Sequence, residues 1–595
     1  MWWKTTILIC GAAMLIGSNA ALADILYVDA DATGANDGSS WENAFIDLQD
    51  ALTAAEDGDE IRVAQGTYKP DQGAGVTPGD REATFQLING VALKGGYAGF
   101  GEPDPDGRDI QAYETILSGD LAGNDVIAGS IQNMVNEPTR AENSLHVVTG
   151  SGTDETSSLE GFVITGGNAH GPYAADDPRL DGGGMYTSQG SPTATDCLFR
   201  HNSAGHFGGG MYNEKSSHPH VVRCRFVENA TGPVWLGVGT AGGGIGNAEG
   251  SNPIVTQCVF DGNWGLNAGG TGNYEGCSAQ FRDCEFVDNV AGEWGAGLFD
   301  YSNCASTVIG CRFIGNHARK GGGGVMVGPT SHAKVMGCLF RENTTDDRGG
   351  GMLNYSYSNS TVTDCVFANN AAANGGGMCN RDNAHAEVKG CIFAGNTAIK
   401  GAAMLNGDNC NPIVTNCTIA NNVASSRGGG IWNGMLETSQ GGSPTLVNCI
   451  LWSNSPQQID DSSGVTTATY SDVQGGWPGV GNIDADPNFV DPDNGDYHLM
   501  SPAGHWDPNT TTWVTDEKTS PCIDTGDPMS PIGLEPFPNG GRVNMGAYGG
   551  MAEASKSYFG AEPCDAIVAG DINGDCRVDV LDLAIMALHW LEDNG

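Results

Sequence analysis

Between residues 197 and 454 the chain writes one phrase ten times: a cysteine, an apolar residue two places on, and an asparagine three places after that. The cysteines are Cys197, Cys224, Cys258, Cys284, Cys311, Cys338, Cys365, Cys391, Cys417 and Cys449, in steps of 27, 34, 26, 27, 27, 27, 26, 26 and 32 residues. So regular a period means a solenoid. The second column reads Phe199, Phe226, Phe260, Phe286, Phe313, Phe340, Phe367 and Phe393, then Ile419 and Leu451. Positions i and i+2 of a strand share a face, so cysteine and phenylalanine point inward together. A further apolar column, from Val221 and Val255 to Val414 and Leu446, stands three places before the cysteine. That odd spacing requires a bend, and the residue before each cysteine (Asp196, Arg223, Gln257, Gly310, Asn416) suits a corner.

The asparagine column runs from Asn202 to Asn454. Stacked at about 4.8 Å, such side chains reach the coil above and the coil below. A variable loop follows, then a glycine-rich strand, as in Gly208 to Asn213, Gly349 to Asn354 and Gly428 to Asn433. Three short strands per unit, and no helical periodicity, describe a coil of parallel β-structure. The 91 glycines would suggest disorder without the period; with it they read as close-packed corners and strands.

Against 71 acidic residues stand 27 basic ones, a formal charge of −44. That excludes nucleic acid as a partner, which requires a basic footprint. It suits calcium and a well-solvated exterior. Residues 1–23 read as a secretory signal, with an apolar run from Thr5 to Ile16 and Ala21-Leu22-Ala23 before Asp24. No later stretch reaches the roughly 18 apolar residues of a membrane span. The mature chain is therefore expected to be secreted, extracellular or on the cell surface, without a transmembrane segment. The ten columnar cysteines, about 4.8 Å apart with parallel side chains, are poorly placed for disulfides and read as a buried thiol ladder.

The expected organisation is a signal (1–23), an N-terminal cap with early coils (24–160), regular repeats (161–460), a C-terminal cap (461–555) and a small tail module (556–595). A helix over 44–55, with Phe45, Leu48 and Leu52 inward, would cover the first open coil. The fold class is all-β, a solenoid of parallel β-structure with a helical cap and an EF-hand-like tail.

The repeats resemble those of the polymorphic outer-membrane protein family, whose signatures are Phe-x-x-Asn and Gly-Gly-Ala/Gly-apolar. Phe340-Arg341-Glu342-Asn343, followed by Gly349-Gly350-Gly351-Met352, carries both. The resemblance implies a right-handed β-helix, and the opening stretch is similar to the entry of pectate-lyase-like proteins. Asp486-Pro487-Asn488-Phe489-Val490 and Ser520-Pro521-Cys522-Ile523-Asp524 resemble the choice-of-anchor segment, which implies a surface role.

In the tail, Asp571, Asn573, Asp575, Asp579 and Asp582 offer side-chain oxygens at loop positions 1, 3, 5, 9 and 12, with the Arg577 carbonyl at 7. That is the pattern of a calcium loop. Residues 580–591 follow as a helix with Leu583, Ala587, Leu588 and Leu591 on one side. Loop and helix resemble half of a dockerin module, which implies Ca²⁺ and a cohesin-like protein partner. Cys564 and Cys576 flank the loop and are disulfide candidates.

A second candidate site lies just before the glycine-rich strand. Trp294, Lys320, Arg348, Asn374, Lys400 and Arg427 form a column there, with Asp346 and Asp347 about one coil above Arg319 and Lys320. Trp264 and Trp235, with His206 and Phe207, occupy the same loop of earlier coils. Aromatic faces beside cations suit a saccharide bearing carboxylates or sulfates; the alternative is charge pairing between coils. The catalytic signatures Asn-Thr-Asp, Gly-His-Gly and Arg-Ile-Lys are absent from the sequence. The expected function is polysaccharide binding, or an adhesive or structural role at the cell exterior. The alternative is a polysaccharide lyase or glycoside hydrolase tethered through the tail.

Overall fold

The computed structural model describes residues 23–126, 129–172, 177–232, 240–436, 440–558, 570, 572 and 578–590. Residues 1–22 of the expected signal lie outside these residues. Among them the chain winds into a β-helix of four parallel sheets with 15, 14, 13 and 10 strands. The valine columns form the first, Val221 pairing with Val255. The phenylalanines form the second, Phe313 pairing with Phe340. The glycine-rich strands form the third, Asn354 pairing with Asn380.

The fourth sheet corrects the expectation of three strands and a variable loop. Short strands from Asn168–Ala169 to Val423–Arg427 stack in the stretch after each asparagine. Their inward position takes a small residue two places after the asparagine: Ala291 pairs with Ala318, and Ala318 with Thr345. Only a small side chain fits there, so the column lacks the bulk that marks the other three.

The corners behave as their residues dictate. Asp196, Arg223, Gln257, Asp283, Asn416 and Asn448, each just before a cysteine, all have φ between 48° and 56°. In the glycine-rich strand a side chain is forbidden for a second reason: a Cβ on Gly350 would stand 2.5 Å from the Gly376 carbonyl.

Inside, Phe199 to Phe393 form one stack, with centroids 4.5–5.0 Å apart and planes within 7°. The cysteines are buried and unbridged, and burial pushes the Cys391 and Cys417 thiols well above their ordinary range. Each asparagine Nδ2 donates to the next Oδ1 at 2.8–3.1 Å from Asn202 to Asn454.

A second amide ladder runs along the glycine-rich strands and is broken at Asp300, which accepts from Asn273 Nδ2 (2.8 Å) and Ser306 Oγ (2.7 Å). Burial pushes this carboxyl up from 3.8 to about 6. The folded state therefore holds a proton that the unfolded state releases near pH 3.8, so stability falls as pH rises from there through 6. At about 1.36 kcal/mol per pKa unit, the ionised form costs up to about 3 kcal/mol. Asp300→Asn is expected to match the parent in urea unfolding at pH 4 and to exceed it at pH 8. Equal midpoints at pH 8 would contradict this.

The cap helix is Leu48–Ala54, shorter than expected, with Leu48, Ala51 and Leu52 buried. Phe45 lies outside it because it pairs with Val28 as a parallel bridge. At the other end Trp477 packs against the main core. The segment that resembles a choice-of-anchor begins beyond it. It lies along the flank, where Phe489, Tyr497, Leu499, Met545 and Ala547 bury the outward Ile392, Ala420 and Ile450 of the phenylalanine sheet.

Candidate functional site

The fourth sheet carries the expected stripe, and its register is visible. Trp294 bridges Gly321, Gly321 bridges Arg348, and Arg348 bridges Asn374. Asn374 pairs with Lys400, and Lys400 with Arg427. Lys320 is therefore one place out of the column. Four successive glycines, Gly321 to Gly324, obscure the start of that coil's strand.

The cations are largely engaged by the protein. Lys320 Nζ pairs with Glu293 Oε1 at 2.6 Å and lies over the Trp294 ring. Arg348 pairs with its own neighbour Asp347 at 3.2 Å, so the expected pairing of Asp347 with Arg319 or Lys320 gives way to contacts within and below the coil. Lys400 Nζ lies 4.8 Å above the Trp432 ring, and Arg427 donates to Ser462 Oγ at 2.8 Å. Arg319 and Asp346 are exposed. These side chains roof an outward apolar ridge of Phe299, Met326, Leu353, Cys379, Leu405 and Trp432. Trp264 offers no platform: it is 8 % exposed and packs against Met134 and Ala230. Trp235 lies outside the described residues.

The ridge explains where a cleft must open. Along the third sheet the outward position just before Asn213 and its register equivalents Thr187, Asp300, Val327 and Asn354 is filled by Tyr186 and Tyr212, and later by Phe299, Met326 and Leu353. Between them Tyr212 pairs with Gly246, Gly246 with Gly272, and Gly272 with Phe299. Two coils in succession thus carry no side chain at this outward position. The result is a cleft of about 550 Å³, walled by Phe207, Tyr212, Tyr274, Trp294, Phe299 and Tyr301. Phe207 stacks on Tyr212 (5.7 Å, 9°) and leans on Tyr274 (5.1 Å); Tyr274 meets Phe299 edge-on at 5.6 Å. These contacts hold the rings in place.

Carboxylates line the same cleft: Asp181, Glu214, Glu249, Glu275 and Glu293, with Lys215 and His206. Asp181 Oδ1 accepts from Phe207 N at 2.8 Å and lies 3.4 Å from His206 Nδ1; burial raises its carboxyl above the usual range. Glu214 Oε1 accepts from Tyr186 Oη (2.6 Å) and Ser188 Oγ (3.0 Å), and pairs with Lys215. Beside them, burial and the Asp181 and Glu214 charges push the Tyr212 hydroxyl well above its ordinary value. Of these residues the sequence alone marks only His206, Phe207 and Trp294. The available signal was the pair of glycines at a position the other coils fill.

In the tail, Asp579 and Asp582 are described, whereas Asp571, Asn573, Asp575, Arg577, Cys564 and Cys576 lie outside the described residues. Helix Val580–Trp590 begins with a reciprocal cap: Asp579 Oδ1 accepts from Leu581 N at 2.8 Å, and Asp582 Oδ2 accepts from Asp579 N at 2.7 Å. The other Asp582 oxygen accepts from Ile572 N at 2.7 Å, so the buried Asp582 holds both ends of the loop. Of the expected inward face of this helix, Leu583 is 60 % exposed and Ala587 is exposed, whereas the Leu588 and Leu591 side chains lie outside the described residues.

The model of the right-handed β-helix region matches residues 131–319 and 296–474, more than half of the chain, and the chain belongs to that family. Among solved structures, the pectate lyase Pel9A is similar at 11 % identity and a TM-score of 0.33, over 89 % of this chain and 96 % of that one. XylC in complex with xylose gives 10 % and 0.38, over 82 % and 92 %. PfbA, a surface adhesin of Streptococcus pneumoniae, gives 9 % and 0.30, over 71 % and 87 %. No curated protein matches the chain. Among the described residues no helix is long and apolar enough to cross a membrane.

Proposed function

We propose that this chain is an exported β-helix protein that acts at the cell exterior by holding a polysaccharide along the cleft between Asp181 and Tyr301. The aromatic walls around the Gly246–Gly272 floor carry this reading. Aromatic faces take the apolar faces of sugar rings, and carboxylates accept from their hydroxyls. The lining holds five carboxylates against one lysine and one histidine. Such a surface repels a polyanion, so the ligand class is a neutral or amine-bearing glycan, not the carboxylated or sulfated one suggested by the stripe.

The tail adds attachment. Asp571, Asn573, Asp575, the Arg577 carbonyl, Asp579 and Asp582 would hold calcium, which would fix the loop against helix Val580–Trp590 for a cohesin-like partner. The pairing of Asp579 with Asp582 fits this role, because each oxygen keeps a lone pair after bonding its N–H.

A hydrolytic reading has one specific support, the neighbouring carboxylates Asp181 and Glu214 in different surroundings. One experiment separates the readings. Affinity electrophoresis against neutral glucans, xylan, chitosan and polyuronate is expected to show retention on neutral or amine-bearing glycans. Retention should fall at least tenfold in a Tyr274→Ala/Tyr301→Ala variant and persist when Lys320, Arg348, Lys400 and Arg427 are all changed to Gln. Retention confined to polyuronate, and lost with those four cations, would reverse the assignment. Release of reducing ends that vanishes in Asp181→Asn would make the protein a hydrolase.

A further inference from the structure

Between Gly119 and Ser144 the chain leaves the coil and returns, and the excursion is closed by Ser144 N donating to Gly119 O at 2.8 Å. Its middle, Ile131–Asn136, lays Ile131 and Met134 against Ala230 and Trp264. Within it Asp120, Asp125 and Glu142 each present a carboxylate oxygen within 4.8 Å of the others. Hard cations such as Ca²⁺ sit about 2.4 Å from each oxygen, so three oxygens about 4.2 Å apart share one ion, and the cluster reaches that by closing by a few tenths of an ångström.

The hydrogen bonding of this cluster is unbalanced. Asp125 gives one oxygen to the protein: Oδ2 accepts from Arg140 Nη1 (2.9 Å) and from Asn143 Nδ2 (2.9 Å). Its Oδ1 is buried without a partner, and so is Glu142 Oε1. Asn143 is wholly buried, and its Oδ1 also has no partner although its amide nitrogen is bound to Asp125. Three buried acceptors left unmade in one place are costly, and a cation is what satisfies acceptors alone. Asp120 is held ready, with Oδ1 accepting from Gly123 N (2.6 Å) and Asn124 N (3.1 Å), and Oδ2 from Asp125 N (3.1 Å). A cavity of about 140 Å³ beside Asp120 and Asp125, lined also by Ser118, Thr165, Arg140 and His201, leaves room for the waters that complete a coordination shell. Three carboxylates against the single buried Arg140 leave a net charge of −2, the charge that a divalent ion neutralises.

We propose that Asp120, Asp125 and Glu142, with the Asn143 carbonyl, form a site for a hard divalent cation of the calcium class. The ion fastens the 119–144 excursion to the coil and so steadies the ring of Trp264, whose strand runs on to Asn267 in the cleft. This site is separate from the tail loop.

The test uses the full chain, with the tail loop disabled by Asp571→Ala/Asp575→Ala. Calorimetry with CaCl₂, after chelation, is expected to show one remaining calcium per chain. Adding Glu142→Gln/Asp120→Asn should remove it, with circular dichroism in EDTA unchanged from the parent. Calcium should also slow protease cleavage within 119–144 several-fold in the tail variant and not in the combined variant. No calcium uptake by the tail variant, or uptake and protection unchanged by Glu142→Gln/Asp120→Asn, would overturn the proposal. Equal uptake of Mg²⁺ would overturn the calcium class.

Discussion

Replacing Gly272 by leucine is expected to abolish glycan retention while the coil stays folded. Position 272 faces outward between Tyr212 and Phe299, with only Gly246 intervening. A Cβ there would meet Ala241 Cβ at 3.1 Å, Ala268 Cβ at 3.2 Å and Tyr274 Cε2 at 3.2 Å. Each neighbour must give a few tenths of an ångström, the two alanine methyls only together with their backbone, so the coil stays folded at a modest cost in stability. Leucine already fills the equivalent place at Leu353 and Leu405. The substitution thus extends the apolar ridge across the cleft floor and takes the space a sugar would occupy against the rings. Loss of stacking on even one ring is worth about 1 kcal/mol, and exclusion from the whole cleft more, so retention should weaken at least tenfold, or about 1.4 kcal/mol. Gly246 is the poorer choice, because its Cβ would stand 2.9 Å from the Gly208 backbone nitrogen. The measurement is affinity electrophoresis on the best-retained glycan, with a thermal melt as control. A Gly272→Leu protein that melts like the parent and binds like it would place the glycan elsewhere.

The legibility of this chain follows from how its information is stored. The interior repeats, so the cysteine, phenylalanine and asparagine columns average over ten coils and stand out without any structure. The fourth sheet repeats as well, but through Ala204, Thr231, Ala291, Ala318 and Thr345, residues too small and too common to mark a column. The site is hidden for the opposite reason. It is an interruption of a repeat, two glycines where other coils carry bulk, in a sequence so rich in glycine that two more draw no attention. The cationic stripe stands out because positive charge is scarce here, yet Lys320 bonds Glu293 and Lys400 covers Trp432. Such half-exposed pairs contribute little to stability and offer little to a ligand. Residue type alone could not say that Trp264 faces Met134 and not solvent, since the residue that covers it stands 130 positions earlier.

The largest loss of stability is expected from Asn316→Ala, a residue that touches nothing outside the protein. Asn316 Nδ2 donates to Phe286 O (2.8 Å) and to Asn343 Oδ1 (2.9 Å), and its Oδ1 accepts from both Asn289 N (3.1 Å) and Asn289 Nδ2 (3.0 Å). All of these atoms are buried, where no water replaces the missing amide. Alanine leaves Asn289 N and Phe286 O without those partners, and each orphaned group costs about 1–3 kcal/mol. The methyl also leaves a void beside the phenylalanine stack. The sum is about 3–5 kcal/mol, comparable with Phe313→Ala, which removes a far larger apolar side chain. The two should differ in reach. A ring deletion disturbs the packing of its two stacked neighbours, whereas the amide deletion also cuts a chain of polarised hydrogen bonds running the length of the solenoid. Because each coil touches only its neighbours, the damage should appear first as faster amide exchange in the coils of Asn289 and Asn343. Urea unfolding measures the total and hydrogen exchange its location. A change below about 1 kcal/mol would show that the ladder records the fold's geometry without stabilising it.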